Sequence, residues 1–100
     1  MQNAIRYELT ILTAPDKHEQ AMKEIVDMFT ECYDGAEIVK FDNEGTKRLA
    51  YSIDEYEYAT YTYLVVDLAP NKCPLWCITQ DLDRMEGVLR YLAVPPRKLR

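Results

Sequence analysis

Lys47 and Arg48 stand side by side just after Gly45, and Leu49, Tyr51 and Ile53 follow on one face of an extended segment. Two adjacent cations in a strand have two uses. They guard a sheet edge against pairing with another chain, or they hold an anion. Gly45 lets the backbone turn or bulge where the charge begins. Five of the chain's eight tyrosines, Tyr51, Tyr56, Tyr58, Tyr61 and Tyr63, crowd into the stretch that follows. Aromatic rings on an open sheet stack on unpaired bases, and tyrosine is equally at home in the core of a protein interface. The segment 58–67 holds Tyr61 and Tyr63 but no Lys or Arg, unlike the basic-aromatic strand of an RNA-recognition motif. Lining of one sheet face is the plainer use of those two rings, and reception of a partner chain is the other.

Catalytic chemistry has no comparable foothold. The single histidine, His18, has no serine and acid spaced to form a triad, and no activated thiol is evident. Glu19, Glu24, Asp27 and Glu31 recur as the solvated face of a helix, not as a general acid–base pair. The three glycines, at 35, 45 and 87, punctuate the chain and form no phosphate-cradling loop. Cys32, Cys73 and Cys77 are an odd set without a disulfide framework. Cys73 and Cys77 share a face if their segment is helical, but two thiolates and a distant His18 do not complete a zinc site. Buried or half-buried thiols are the expectation, with neither metal nor cofactor. The sequence therefore predicts a protein that is not an enzyme and needs no small-molecule substrate.

The net charge of −5 argues against an indiscriminate nucleic-acid binder, since phosphate neutralisation dominates non-specific affinity. Its distribution is uneven. Residues 16–57 hold twelve acids against five bases, whereas 97–100 hold Arg97, Lys98 and Arg100 and no acid. An acidic body with local basic spots suits docking on one defined anionic surface beside a basic partner. A short basic tail of this kind is one that folds onto RNA. No apolar run approaches the roughly 20 residues of a membrane span, and no basic segment leads into a hydrophobic stretch at the amino terminus. A cytoplasmic protein without membrane contact is expected.

The elements that must carry these residues are legible from periodicity. Ile5, Tyr7, Leu9 and Ile11 alternate with Arg6, Glu8 and Thr10, predicting a half-buried strand. Asp16 and Glu19 resemble a capping box at the start of an amphipathic helix over 17–33, which Gly35 ends. Residues 36–44 alternate less cleanly and predict a second strand running through Gly45 into 49–53, with a polar turn at 54–57. The composition of 58–67 predicts a third strand. Asn71 is a candidate cap for a second helix with Pro74 in its first turn, striped by Leu75, Ile78, Leu82 and Met85. A fourth strand spans 88–94 and carries Arg90. The order β-α-β-β-α-β predicts an α+β, ferredoxin-like domain over 1–96. Its four-stranded antiparallel sheet has two helices on one face and leaves the other open, and 97–100 forms the tail.

Arg6-Tyr7-Glu8, the segment Lys47 to Ile53 after Gly45, and Val88-Leu89-Arg90-Tyr91 resemble bacterial small-subunit ribosomal protein six across nearly the whole chain. The resemblance implies the ferredoxin-like fold and no enzymatic activity. It also implies a place in the small ribosomal subunit, where that family pairs with ribosomal protein eighteen on the central domain of the ribosomal RNA. Arg6, Tyr7, Lys47, Arg48 and Arg90 match family positions and are the candidate RNA contacts, together with Arg97, Lys98 and Arg100 of the tail. Tyr51, Tyr61 and Tyr63 are the candidate contacts to a partner protein. The other reading open at this point is a small ferredoxin-like ligand-binding or regulatory domain that homodimerises through its tyrosine-rich face.

Overall fold

A computed structural model of the chain describes residues 4–32, 35–69, 71–72 and 74–94. The tail residues Arg97, Lys98 and Arg100, as well as Cys73 and the side chain of Cys32, lie outside the described residues. Four strands, β1 (Ile5–Thr13), β2 (Ala36–Ile53), β3 (Tyr56–Leu68) and β4 (Val88–Val94), form one antiparallel sheet in the order β2-β3-β1-β4. Helices α1 (His18–Asp27) and α2 (Leu75–Arg84) make the crossovers. The predicted ferredoxin-like arrangement is the observed one.

Alternation along β1 and β3 decides which face is buried. Leu9, Ile11, Leu64, Val66 and Leu68 are shielded from water and pack with Ile25, Phe29, Ile78 and Leu82 from the helical layer. Each such side chain contributes roughly 1.5–3 kcal/mol of transfer free energy, so this single layer is what holds the two crossovers to the sheet. Tyr91 joins β4 to α2, its hydroxyl donating to Asp83 Oδ1 at 2.7 Å with the Thr79 carbonyl oxygen 3.3 Å away. The bond to Asp83 pushes the Tyr91 phenol above its ordinary value, and burial adds to the effect.

The helix starts differ from expectation. Asp16 does not cap α1: it sits in a 3-10 turn, Pro15–Lys17, and no side chain caps the helix. Its carboxylate accepts instead from the Tyr56 hydroxyl at 3.2 Å, tying the far end of the β2–β3 hairpin to this turn. The first helix also changes pitch, continuing past Asp27 as a π turn over Met28–Cys32. Asn71 lies in a turn, and Pro74 takes the N-cap of α2 with an extended backbone. A side chain at Gly87 would meet Ala21 Cβ at 3.1 Å and Lys17 Cβ at 3.2 Å, so that turn packs directly on α1.

The uneven alternation of residues 36–44 has a structural cause, because β2 is bulged. Ile38 pairs with Val66 and Lys40 with Val65, leaving Val39 as an extra residue. Asn43 pairs with Thr62 and Gly45 with Tyr61, leaving Glu44 extra. Each inserted residue exchanges the two faces for everything beyond it. Further along, the pairing slips again between Arg48, opposite Tyr58, and Ile53, opposite Tyr56. Asp54 and Glu55 then close the hairpin with φ of 50° and 70°. Positive φ at both central residues is the geometry of the tight turn that matches strand twist, normally supplied by Asn-Gly.

Candidate nucleic-acid interface on the open face of the sheet

The face of the sheet away from the helices is read row by row from the register. The row nearest the hairpin runs Arg90, Leu12, Tyr61, Gly45 across β4, β1, β3 and β2. Lys47, two residues beyond Gly45 and opposite Ala59, places its Nζ 5.0 Å from the centre of the Tyr61 ring. The middle rows are Leu92, Thr10, Tyr63, Asp42 and then Val94, Glu8, Val65, Lys40. Lys40 Nζ is 5.9 Å from the Tyr63 ring centre and 3.5 Å from Asp42 Oδ2. The last row holds Arg6, Asp67 and Glu37.

These rows differ in charge. Arg6 makes a two-pronged contact with Asp67, Nε to Oδ1 at 2.8 Å and Nη2 to Oδ2 at 3.1 Å. The hydrogen bond from Arg6 holds the Asp67 carboxyl below the usual carboxylate range, and it raises the arginine in return. In the middle, Glu8 and Asp42 flank Tyr63. Partial burial first, and then Glu8, push the Tyr63 phenol up. At the hairpin end, Lys47 and Arg90 enter none of the ion pairs among the described residues. A cation over a ring keeps its charge and its donors while gaining up to about 1 kcal/mol at an exposed site.

The predicted residues are therefore divided. Lys47, Arg90, Tyr61 and Tyr63 share the open face. Arg6 shares it too, but six residues along β1 from Leu12, about 20 Å away, and already paired. Tyr7 turns to the opposite side and packs partly buried against the core. Arg48, opposite Tyr58, faces away from Lys47, so the dibasic step serves both faces. Tyr51 is 78% exposed in the slipped part of the hairpin, apart from Tyr61 and Tyr63. Leu92, 62% exposed, and Val94 complete an apolar strip that sequence reasoning left out. The spacing of Arg90, Leu92 and Val94 in the fourth strand was the available signal. Lys40 was hidden by the bulge at Val39.

Other concavities offer less. A groove of about 630 Å³ between the helices is lined by Lys17, Arg84, Glu24, Asp27 and Asp81 over Met28 and Met85. Its mixed charges select no ligand class. Among the described residues no cluster of His, Cys, Asp or Glu is arranged to hold a metal ion, and no helix is long and apolar enough to cross a membrane.

Residues 6–95 match the family model of ribosomal protein S6. The chain belongs to the bacterial ribosomal protein S6 family. It is 36% identical over 87 residues to the small ribosomal subunit protein bS6 of Corynebacterium glutamicum, covering 85% of this chain and 90% of the relative. Against the bS6 protein of Acidothermus cellulolyticus it is 34% identical over 92 residues, covering 90% and 94%. The crystal structure of the 30S ribosomal protein S6 from Thermotoga maritima superposes with a TM-score of 0.79 at 16% identity, over 94% of this chain and 89% of that one. That likeness bears on the fold. Membership makes the chain a small-subunit ribosomal protein, in keeping with a family that is structural and not catalytic.

Proposed function

We propose that this small-subunit ribosomal protein holds ribosomal RNA at the hairpin end of its open face and receives ribosomal protein eighteen on the apolar rows beside it. The observation that carries the first half is Lys47 over Tyr61 with Arg90 in the adjoining row, cations with no carboxylate partner on a sheet that is otherwise acidic or already paired. Phosphate and sugar contacts from Lys47 and Arg90 position the protein without reading sequence, and Tyr61 offers a ring for stacking. Arg6 contributes only by leaving Asp67. Arg48 and the tail residues Arg97, Lys98 and Arg100 extend the contact beyond the sheet face.

The second half rests on exposed Leu92 and Val94 of β4 and half-buried Tyr63 of β3, with Thr10 and Glu8 of β1 between them and Asp42 on the far side. Apolar side chains interspersed with carboxylates suit a partner that brings basic groups alongside an apolar contact. With a chain charge of −5, RNA binding is weak alone and rises when the basic partner joins. The test is co-sedimentation with small ribosomal subunits, plus titration of a central-domain RNA fragment with and without ribosomal protein eighteen. Absence of association in both assays sinks the proposal. A stable dimer indifferent to RNA favours the regulatory-domain reading in its place.

A further inference from the structure

We infer that the bulge at Glu44, held by Asn43 and Gly45, is the positioning device that selects Lys47 over Arg48 for the open face. The inference rests on the proposed RNA contact for its purpose but not for its geometry. Continued regular alternation from Lys40 and Asp42, both on the open face, would bring Thr46 and Arg48 to that face and send Lys47 behind it. The extra residue reverses this. Gly45 and Lys47 come forward, opposite Tyr61 and Ala59, and Arg48 goes back opposite Tyr58.

The bulge is built and not merely tolerated. Gly45 has φ of +92°, a conformation side chains resist, and a Cβ there would meet nothing within 4 Å. Backbone geometry alone therefore calls for glycine at this position. The Asn43 Oδ1 accepts from the Gly45 N–H at 2.8 Å, closing the bulge locally. The same side chain's Nδ2 lies 3.5 Å from His18 Nε2, and His18 Nδ1 lies 2.8 Å from Thr13 Oγ1, which also donates to the Thr60 carbonyl at 3.3 Å. Behind Lys47, Thr46 Oγ1 meets Thr60 Oγ1 at 2.8 Å, which keeps Thr46 on the helix side. The start of α1, the end of β1 and the bulge of β2 are thus joined by one chain of polar contacts. In a strand where a one-residue slip exchanges every side chain, such a clamp decides which cation meets the ligand.

Two opposite changes test this, both read in the full chain by NMR through contacts between the Lys47 methylenes and the Tyr61 ring. Gly45→Val, which keeps the chain length but resists the positive φ, is expected to abolish those contacts and to turn Arg48 to the open face two residues beyond Thr46, with Thr46 taking the place opposite Ala59. Deletion of Glu44 removes the bulge while leaving Gly45 opposite Tyr61, so the Lys47 contacts are expected to persist. Persistence of the Lys47 contacts in Gly45→Val, or their loss in a folded Glu44 deletion, overturns the inference. Should Gly45→Val fail to fold, Asn43→Ala replaces it. There, faster exchange of the Gly45 amide by about tenfold and weakened Lys47–Tyr61 contacts support the clamp, and unchanged values overturn it. With RNA, Lys47→Ala is expected to weaken binding more than Arg48→Ala in the native background and less in Gly45→Val. If no variant binds RNA, the proposed function fails while the NMR contacts still decide the positioning role.

Discussion

The two ends of the open face carry the same kind of charge in different company. At one end the Arg6 guanidinium closes on Asp67 through two hydrogen bonds, so little net charge faces outward. At the other, Lys47 rests on the Tyr61 ring and Arg90 stands beside Leu12, with no carboxylate neutralising either. The difference comes from what β3 offers each end: an aspartate at position 67 directly opposite Arg6, and a tyrosine at position 61 diagonal to Lys47, which itself stands opposite Ala59. A carboxylate satisfies a cation, whereas a ring holds it in place and leaves its donors available for phosphate. Resemblance to the family treats Arg6, Lys47 and Arg90 alike, but the register separates a structural cation from two that remain available.

The largest change should erase the comparison altogether. Leu64 lies fully buried on β3 between the two ends, and Leu64→Ala is expected to lower stability by about 3 kcal/mol. Both ends should then loosen together in denaturant unfolding; loss at one end alone would mean the ends are not held by a common core. Next comes the functional contrast. Lys47→Ala and Arg90→Ala should each weaken binding of the central-domain RNA fragment roughly tenfold and reduce the salt dependence by about one charge. Arg6→Ala should change affinity less than about twofold. Equal losses from all three would abolish the distinction drawn between the ends.

Acid titration sharpens the same contrast. The Asp67 carboxyl is held low in the folded chain by Arg6, so on lowering the pH the unfolded chain takes up this proton first. The stabilisation is complete above the ordinary carboxylate range and is lost as pH falls through the folded value. Asp67→Asn should therefore flatten the acid limb of the stability curve, while Lys47→Ala leaves its slope unchanged. The smallest effect belongs to the hairpin that carries Lys47. Glu55 holds φ of 70°, and Glu55→Gly should raise stability by about 0.5–1 kcal/mol in thermal unfolding. Destabilisation there would show that the Glu55 side chain does more than occupy the turn.

Much of the fold was legible because its signals are local. The clean alternation of Ile5 to Ile11 and the stripe of Ala21, Ile25, Met28 and Phe29 each announce a buried face directly. The misreadings also have local causes. Asp16 looked like a cap because its spacing from Glu19 fits one, yet it answers to Tyr56, forty residues away. Tyr7 was grouped with Arg6 by family resemblance, whereas the alternation along β1 puts it with Leu9 and Ile11, and it packs on that core side.

Composition, periodicity and the dibasic step were enough to determine an acidic α+β domain with a cationic hairpin, since these follow from residue type and spacing along one segment. Which cation faces outward, and which is already answered by a carboxylate, was decided only by tertiary structure. Both depend on register, and register in β2 is set by Val39 and Glu44, two residues that pair with nothing across the strand. Side-chain facing has a period of two, so a single unpaired residue reverses it, and no count of charges along the chain reveals that reversal.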